Sequence, residues 1–93
     1  MMTLSTPKRF QISLDGASVI DHGVELVHEL GGKPRNYLQT VSIPDDDIQG
    51  NCGMRRLARL SDFGFKCQSG YRNRDTQYWV YVRQLSLQDV DLA

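Results

Sequence analysis

The chain has little of what secreted and membrane-spanning proteins need. Its 93 residues include two cysteines, three prolines and one tryptophan. Two cysteines are too few for a disulfide framework or a cysteine-rich zinc site. No apolar run approaches the roughly 20 residues of a membrane-spanning helix, and the N-terminus lacks the apolar core of a signal peptide. These absences favour a cytoplasmic protein.

Sequence motifs of catalysis are missing as well. The sequence contains no glycine-rich phosphate loop, no H-E-x-x-H and no nucleophile elbow. His22 and His28 are six residues apart, so they would not share a helix face, and neither has a credible nucleophile near it. We therefore expect no enzymatic activity, no metal site and no cofactor. Cys52 and Cys67 are expected to be small buried side chains without a chemical role.

The composition is that of one globular domain spanning residues 1–93, with a flexible start over 1–7 and a short acidic tail over 85–93. Hydrophobic residues make up 40% of the chain and the formal net charge is zero. The charge is uneven, however: residues 55–83 carry seven basic and two acidic side chains, or +5, and the remainder carries −5. A basic segment can contact phosphate in a neutral protein, although a neutral total argues against strong non-specific binding.

Hydrophobic spacing predicts an α+β fold with a small antiparallel sheet. Alternation over residues 10–14 predicts a strand, and Asp15-Gly16 a turn. The apolar stripe from Ile20 to Leu30, behind a capping box at Ser18 and Asp21, predicts an amphipathic helix. Gly31-Gly32 and Pro34 would end that helix.

The second half of the chain predicts a helix followed by a hairpin. A strand over 36–43 leads into a short helical turn that starts with Pro44 and three aspartates. The main helix is predicted over 52–63 and Gly64 should end it. Strands are then predicted over 65–70 and 77–84, with a polar connection between them.

The stretch from Arg56 to Phe65 reads R-L-x-x-L-x-x-x-G-F, and a strand, a polar turn and an aromatic strand follow it. This pattern, over residues 43–83, resembles the recognition helix and wing of small winged helix-turn-helix proteins, especially the short kind found in phages and prophages. The resemblance implies a winged-helix-like unit, a regulatory protein of a bacterial host cell, and duplex DNA as partner. Two features oppose it: the long segment from Lys33 to Ile43, and three acids close to where DNA phosphates would lie.

Candidate nucleic-acid contacts follow from the resemblance and from the basic segment. The helix would place its arginines at base edges or phosphates, and the hairpin tip would reach the adjacent backbone. The plainer alternative is a solvated helix face and a polar turn. The candidate residues are Arg55, Arg56 and Arg59 on the helix, and Lys66, Arg72, Asn73 and Arg74 on the hairpin.

A second hypothesis is a phage-encoded inhibitor of the anti-CRISPR or anti-restriction type. Such a protein would bind a host protein or ribonucleoprotein complex and block its nucleic-acid-binding surface. The acid triplet would imitate phosphate or bind a basic partner, unless it only starts a helix. Aromatic and arginine side chains are typical of binding hot spots, and an uncovered aromatic sheet face would permit a homodimer. The candidate interface residues are Tyr71, Trp79, Tyr81, Arg83, Asp45, Asp46 and Asp47.

Overall fold

A computed structural model describes residues 3–4, 6, 11–14, 16–27 and 36–86. This part of the chain forms one antiparallel sheet, one α-helix and one single-turn 3-10 helix. The elements are β1 (Thr3–Leu4), β2 (Ile20–Val27), β3 (Asn36–Pro44), the 3-10 helix (Asp45–Ile48), α1 (Gly50–Asp62), β4 (Lys66–Asn73) and β5 (Thr76–Ser86). The strand order is β1-β2-β3-β5-β4, and all neighbours are antiparallel. The predicted α+β class with an antiparallel sheet is confirmed.

Helix α1 packs on part of one face of the sheet. Side chains alternate along a strand, and on β3 both Val41 (1% exposed) and Ile43 (0%) face the helix. Their β5 partners are Tyr81 and Trp79. The main apolar cluster joins both β3 residues to Leu60 of α1 and to Tyr81. We call this the helix-covered face. The other is the open face, whose side chains include Ile20, Leu38, Thr40, Tyr71, Tyr78, Val80 and Val82.

Helix α1 is fixed at both ends by its local sequence. At its start, Gly53 lies so close to the 3-10 helix that an added Cβ atom would overlap the backbone of Ile48. At its end, Gly64 adopts φ +89°, a conformation that favours glycine. The backbone N–H of Phe65 then donates to the carbonyl of Leu60 at 2.9 Å. The glycine stop is confirmed, while the helix begins at Gly50 rather than at residue 52.

The predicted amphipathic helix over residues 18–30 is wrong, because residues 20–27 form β2. Its β-branched residues favour an extended chain, and a bulge between Asp21 and Val24 shifts the register. The bulge lets an irregular apolar spacing fit a strand. The Ser18 N–H donates to the carboxylate of Asp47 at 2.8 Å, so the capping box does not form. Residues 28–30 lie outside the described part.

The predicted strand over residues 10–14 is also wrong, since residues 11–14 lie in no strand; Phe10 is outside the described residues. Leu14 is nevertheless 5% exposed and belongs to the core. Part of the predicted flexible start pairs with β2 as the short strand β1. Of the predicted tail, residues 85 and 86 complete β5, and the rest is not described. The strand prediction over residues 10–14 failed because Leu14 is buried by its own contacts with the core, and not because this segment pairs as a strand.

The hairpin of β4 and β5 is longer and tighter than predicted. Pairing continues to Asn73 and Thr76, so Arg74 and Asp75 alone form the turn. Tyr71 and Tyr78 stack across the strands with ring centroids 5.2 Å apart, which supports pairing where a loop was expected. Strand β4 lies at the sheet edge and all eight of its residues are exposed. No helix in the described residues is long and apolar enough to cross a membrane.

Candidate functional site

Three arginines gather on one flank of α1. Residues at positions i, i+3, i+4 and i+7 share a side of an α-helix, and Cys52, Arg55, Arg56 and Arg59 have this spacing. Together with Leu14, which comes from the loop before β2, they line a depression of 140 Å³. We call this depression the arginine hollow. Apolar atoms make up most of its lining, and three arginine side chains surround it.

Each arginine of the hollow has a different internal contact. Arg56 is half-buried, and its Nη1 donates to the backbone carbonyl of Asp47 at 2.7 Å. Arg55 is exposed and its Nη2 lies 3.3 Å from the sulfur of Cys52. The guanidinium of Arg59 lies 5.7 Å from the ring centre of Phe63. These contacts hold the three arginine side chains in position beside the hollow.

A second depression, the acid cleft, lies beside the hairpin turn. It measures 230 Å³ and is lined by Asp45, Asp46, Arg72, Asp75, Thr76 and Gln77. The carboxylate of Asp45 accepts a hydrogen bond from the indole N–H of Trp79 at 2.8 Å and one from Gln49 at 3.1 Å. Among the described residues, no group of three potential ligands is arranged to hold a metal ion. The cleft is therefore an acidic surface with one arginine inside it.

The predicted acid triplet divides into structural and exposed members. The Asp45 carboxylate accepts a hydrogen bond from Trp79. The Asp47 carboxylate accepts one from the Ser18 N–H, and the Asp47 carbonyl accepts one from Arg56. Asp46 is exposed. The short predicted turn is present as the 3-10 helix. Two of the three acids thus connect distant parts of the chain.

The structure brings the helix arginines together at one depression and places Arg72 of the hairpin at another. The arginine hollow and the acid cleft share no lining residue. Arg72 lies in the acid cleft, and Asn73 and Arg74 are exposed at the turn. Lys66 is exposed and pairs with Val82 on the open face. The helix depression is thus lined by three arginines, whereas the depression beside the hairpin is lined by one arginine and three aspartates.

The predicted aromatic interface residues lie on both faces of the sheet. Tyr81 is 9% exposed in the core, and Trp79 is half-buried beside it. Tyr71 stacks on Tyr78 on the open face. Arg83 donates from Nε to the side chain of Gln39 at 2.7 Å. The structure therefore does not bring these side chains together as one patch.

Arg83 is held at the C-terminal end of α1. Its guanidinium lies 4.9 Å from the ring centre of Phe65 and 5.8 Å from that of Phe63. It also donates to the Phe63 carbonyl at 3.2 Å. With the Gln39 contact, these interactions tie β5 to the end of the helix. Arg83 thus has a structural role that the sequence pattern did not indicate.

The prediction that both cysteines are buried is wrong. Cys52 and Cys67 are exposed, unpaired thiols. Cys52 lies on the arginine flank rather than on the sheet-facing side of α1, and Cys67 lies on the edge strand opposite Tyr81. Burial raises the pKa of the Tyr81 hydroxyl, and the charge of Cys67 adds to the increase. The helical spacing of residues 52, 55, 56 and 59 could have indicated that Cys52 lies beside the arginines. No sequence pattern indicated that Leu14 also lines the hollow.

Comparison with known proteins adds no further constraint. No protein-family model matches the chain, and no curated protein or solved structure is significantly similar to it.

Proposed function

We propose that this protein binds nucleic acid through the arginine flank of α1. The arrangement of Arg55, Arg56 and Arg59 around one hollow carries the proposal. Guanidinium groups suit phosphate because they donate in a planar fork and stay charged. The +5 charge of residues 55–83 supports the same conclusion, since phosphate contacts supply much of the affinity for nucleic acid.

The proposed binding mode keeps part of the winged-helix resemblance. In it, α1 acts as the recognition helix and the β4–β5 hairpin as the wing. A single 3-10 turn stands in the place of the positioning helix, and β2 replaces the expected first helix. Arg72 would contribute little because it lies among carboxylates. The helix flank is therefore the main contact, and Arg74 and Lys66 are secondary ones.

Fluorescence anisotropy with a mixed-sequence DNA duplex over a salt series tests this function. Each neutralised phosphate contributes about −0.9 to the slope of log K against log salt, so contacts of the helix flank with one to three phosphates predict a slope between about −1 and −3. Arg55→Gln/Arg59→Gln should weaken binding and make the slope shallower by about one or more. Arg72→Gln/Arg74→Gln removes the same charge from the tip and should have a smaller effect. Salt-insensitive binding, or no binding at low salt, contradicts the proposal.

The acid cleft favours a second candidate function, inhibition of a host nucleoprotein complex. Asp45, Asp46 and Asp75 line one depression, and clustered carboxylates can imitate the phosphates that such a complex binds. In the same anisotropy assay, Asp46→Asn/Asp75→Asn discriminates between the functions. DNA binding by the α1 flank should be unchanged or tighter in this variant. An inhibitor that uses the cleft should instead lose its nuclease-resistant, stoichiometric complex with its target.

A further inference from the structure

The size of the arginine hollow restricts what it can hold. Pockets for drug-sized ligands measure about 300–1,000 Å³, whereas the hollow measures 140 Å³. It has room for one small group rather than for a cofactor. The three arginine side chains that line it favour an anion, and a tetrahedral oxyanion offers enough oxygens to accept hydrogen bonds from more than one guanidinium group.

The start of α1 adds to the positive potential of this region. The helix has 13 residues, no acid in its first turn and no side-chain hydrogen bond at its N-cap. The N-terminal end of a helix carries a partial positive charge and attracts anions. Cys52, at the edge of the hollow, belongs to this first turn. The start of the helix and the arginines therefore both favour the binding of an anion.

One arginine is already fixed in place before any ligand arrives. Arg56 donates to the Asp47 carbonyl at 2.7 Å, and a Cβ atom added to Gly16 would lie 3.4 Å from its Nη2. The loop before β2 and the 3-10 helix thus confine this side chain. A site with one preorganised group and two exposed arginines loses less entropy on binding than three exposed side chains would.

We propose that the arginine hollow binds a single phosphate group, held by Arg55, Arg56 and Arg59. Its identification as a backbone phosphate, with the adjoining sugar against Leu14, rests on the nucleic-acid-binding function proposed above. Inorganic phosphate carries the same chemistry without the sugar. The two sources can therefore be tested separately.

The two exposed thiols provide a reporter and an internal control. Cys52 lines the hollow and Cys67 lies on the edge strand, and both are unpaired. We would measure iodoacetamide alkylation of each thiol in the full chain by peptide mass spectrometry. The titrants are inorganic phosphate and, separately, a short DNA duplex, with chloride at matched ionic strength as reference.

A bound phosphate should slow the alkylation of Cys52 at least threefold and leave Cys67 unchanged. Because Arg55 contacts the Cys52 sulfur, each variant is compared with itself, with and without the anion. Arg55→Gln/Arg59→Gln should abolish the protection, and Lys66→Gln/Arg74→Gln should retain it. Equal slowing of both thiols, no slowing, or protection that survives in Arg55→Gln/Arg59→Gln overturns the proposal.

The outcomes also separate this inference from the proposed function. Protection by phosphate without any duplex binding supports the phosphate site and removes the nucleic-acid function. Duplex binding that leaves Cys52 unprotected supports the function and overturns the site. Protection by both ligands, lost in Arg55→Gln/Arg59→Gln, supports both.

Discussion

The arginine hollow and the acid cleft both border the segment from Asp45 to the end of α1, yet they carry opposite charge. Each has one half-buried charged side chain that forms a hydrogen bond to another segment of the chain. In the hollow, Arg56 donates to the carbonyl of Asp47. In the cleft, Asp45 accepts from the indole of Trp79. The remaining charged groups of each depression are mainly exposed.

This comparison explains how a chain with no net charge can present strong local fields. In each depression, the hydrogen-bonded residue, Arg56 or Asp45, sets the geometry. Its exposed charged neighbours are the groups that a partner can reach. Substitution of a fixed residue should therefore reduce stability, whereas substitution of an exposed one should change only binding. The three predictions that follow test this division.

The largest effect is expected at Gly53, because both depressions depend on the contact between the 3-10 helix and α1. Gly53→Ala would force a Cβ atom into the Ile48 backbone, and such overpacking costs about 1–3 kcal/mol or more. Gly50→Ala is the matched control: its Cβ meets nothing within 4 Å, and only its φ of +69° is unfavourable. Urea unfolding should show the greater loss for Gly53→Ala. A loss for Gly53→Ala no greater than that for Gly50→Ala would mean that the contact between the 3-10 helix and α1 does not set the geometry of the two depressions.

A smaller effect, confined to the hollow, is expected at Arg56. Arg56→Met keeps an unbranched side chain but removes the hydrogen bond to the Asp47 carbonyl. Hydrogen bonds to charged groups contribute about 1.5–3 kcal/mol, so a loss near the lower value is expected for this half-buried residue. Arg55→Met should change the free energy of unfolding by no more than about 0.5 kcal/mol, as for most surface substitutions. A loss for Arg55→Met as large as that for Arg56→Met would contradict the division.

Sequence patterns predicted the half of the fold in which local signals agree. The apolar spacing of α1, its glycine stop and the strand before it are all present. The prediction of a helix in the β2 region failed because the spacing of Val24 and its apolar neighbours fits a helical stripe as well as a bulged strand. Packing of Val24 against Tyr37 and Leu85 favours the strand. Tertiary contacts of this kind are not visible in local periodicity.

The candidate site shows the same limit at the level of single residues. The arginines of α1 were found because they share one helix flank. Leu14 lies 38 or more residues before the other residues of the hollow, and Asp45 is 34 residues from Trp79. Contacts of this separation depend on the strand order of the sheet, which places β5 between β3 and β4. The sequence had no signal for that order.

The smallest effect, confined to the acid cleft, is expected for Asp45→Asn. Asp45→Asn retains an oxygen that accepts from the Trp79 indole, whereas Asp45→Ala leaves the indole without this partner. A hydrogen bond to a carboxylate contributes about 1.5–3 kcal/mol, so Asp45→Ala should lose about 1.5 kcal/mol in urea unfolding. Asp45→Asn keeps a neutral hydrogen bond of about 0.5–1.5 kcal/mol and should lose clearly less. Trp79 is the single tryptophan of the chain, so its emission maximum reports the same contact and should shift only in Asp45→Ala. If Asp45→Asn is as destabilising as Asp45→Ala, the charge of Asp45, rather than its geometry, stabilises the cleft, and the parallel with Arg56 fails.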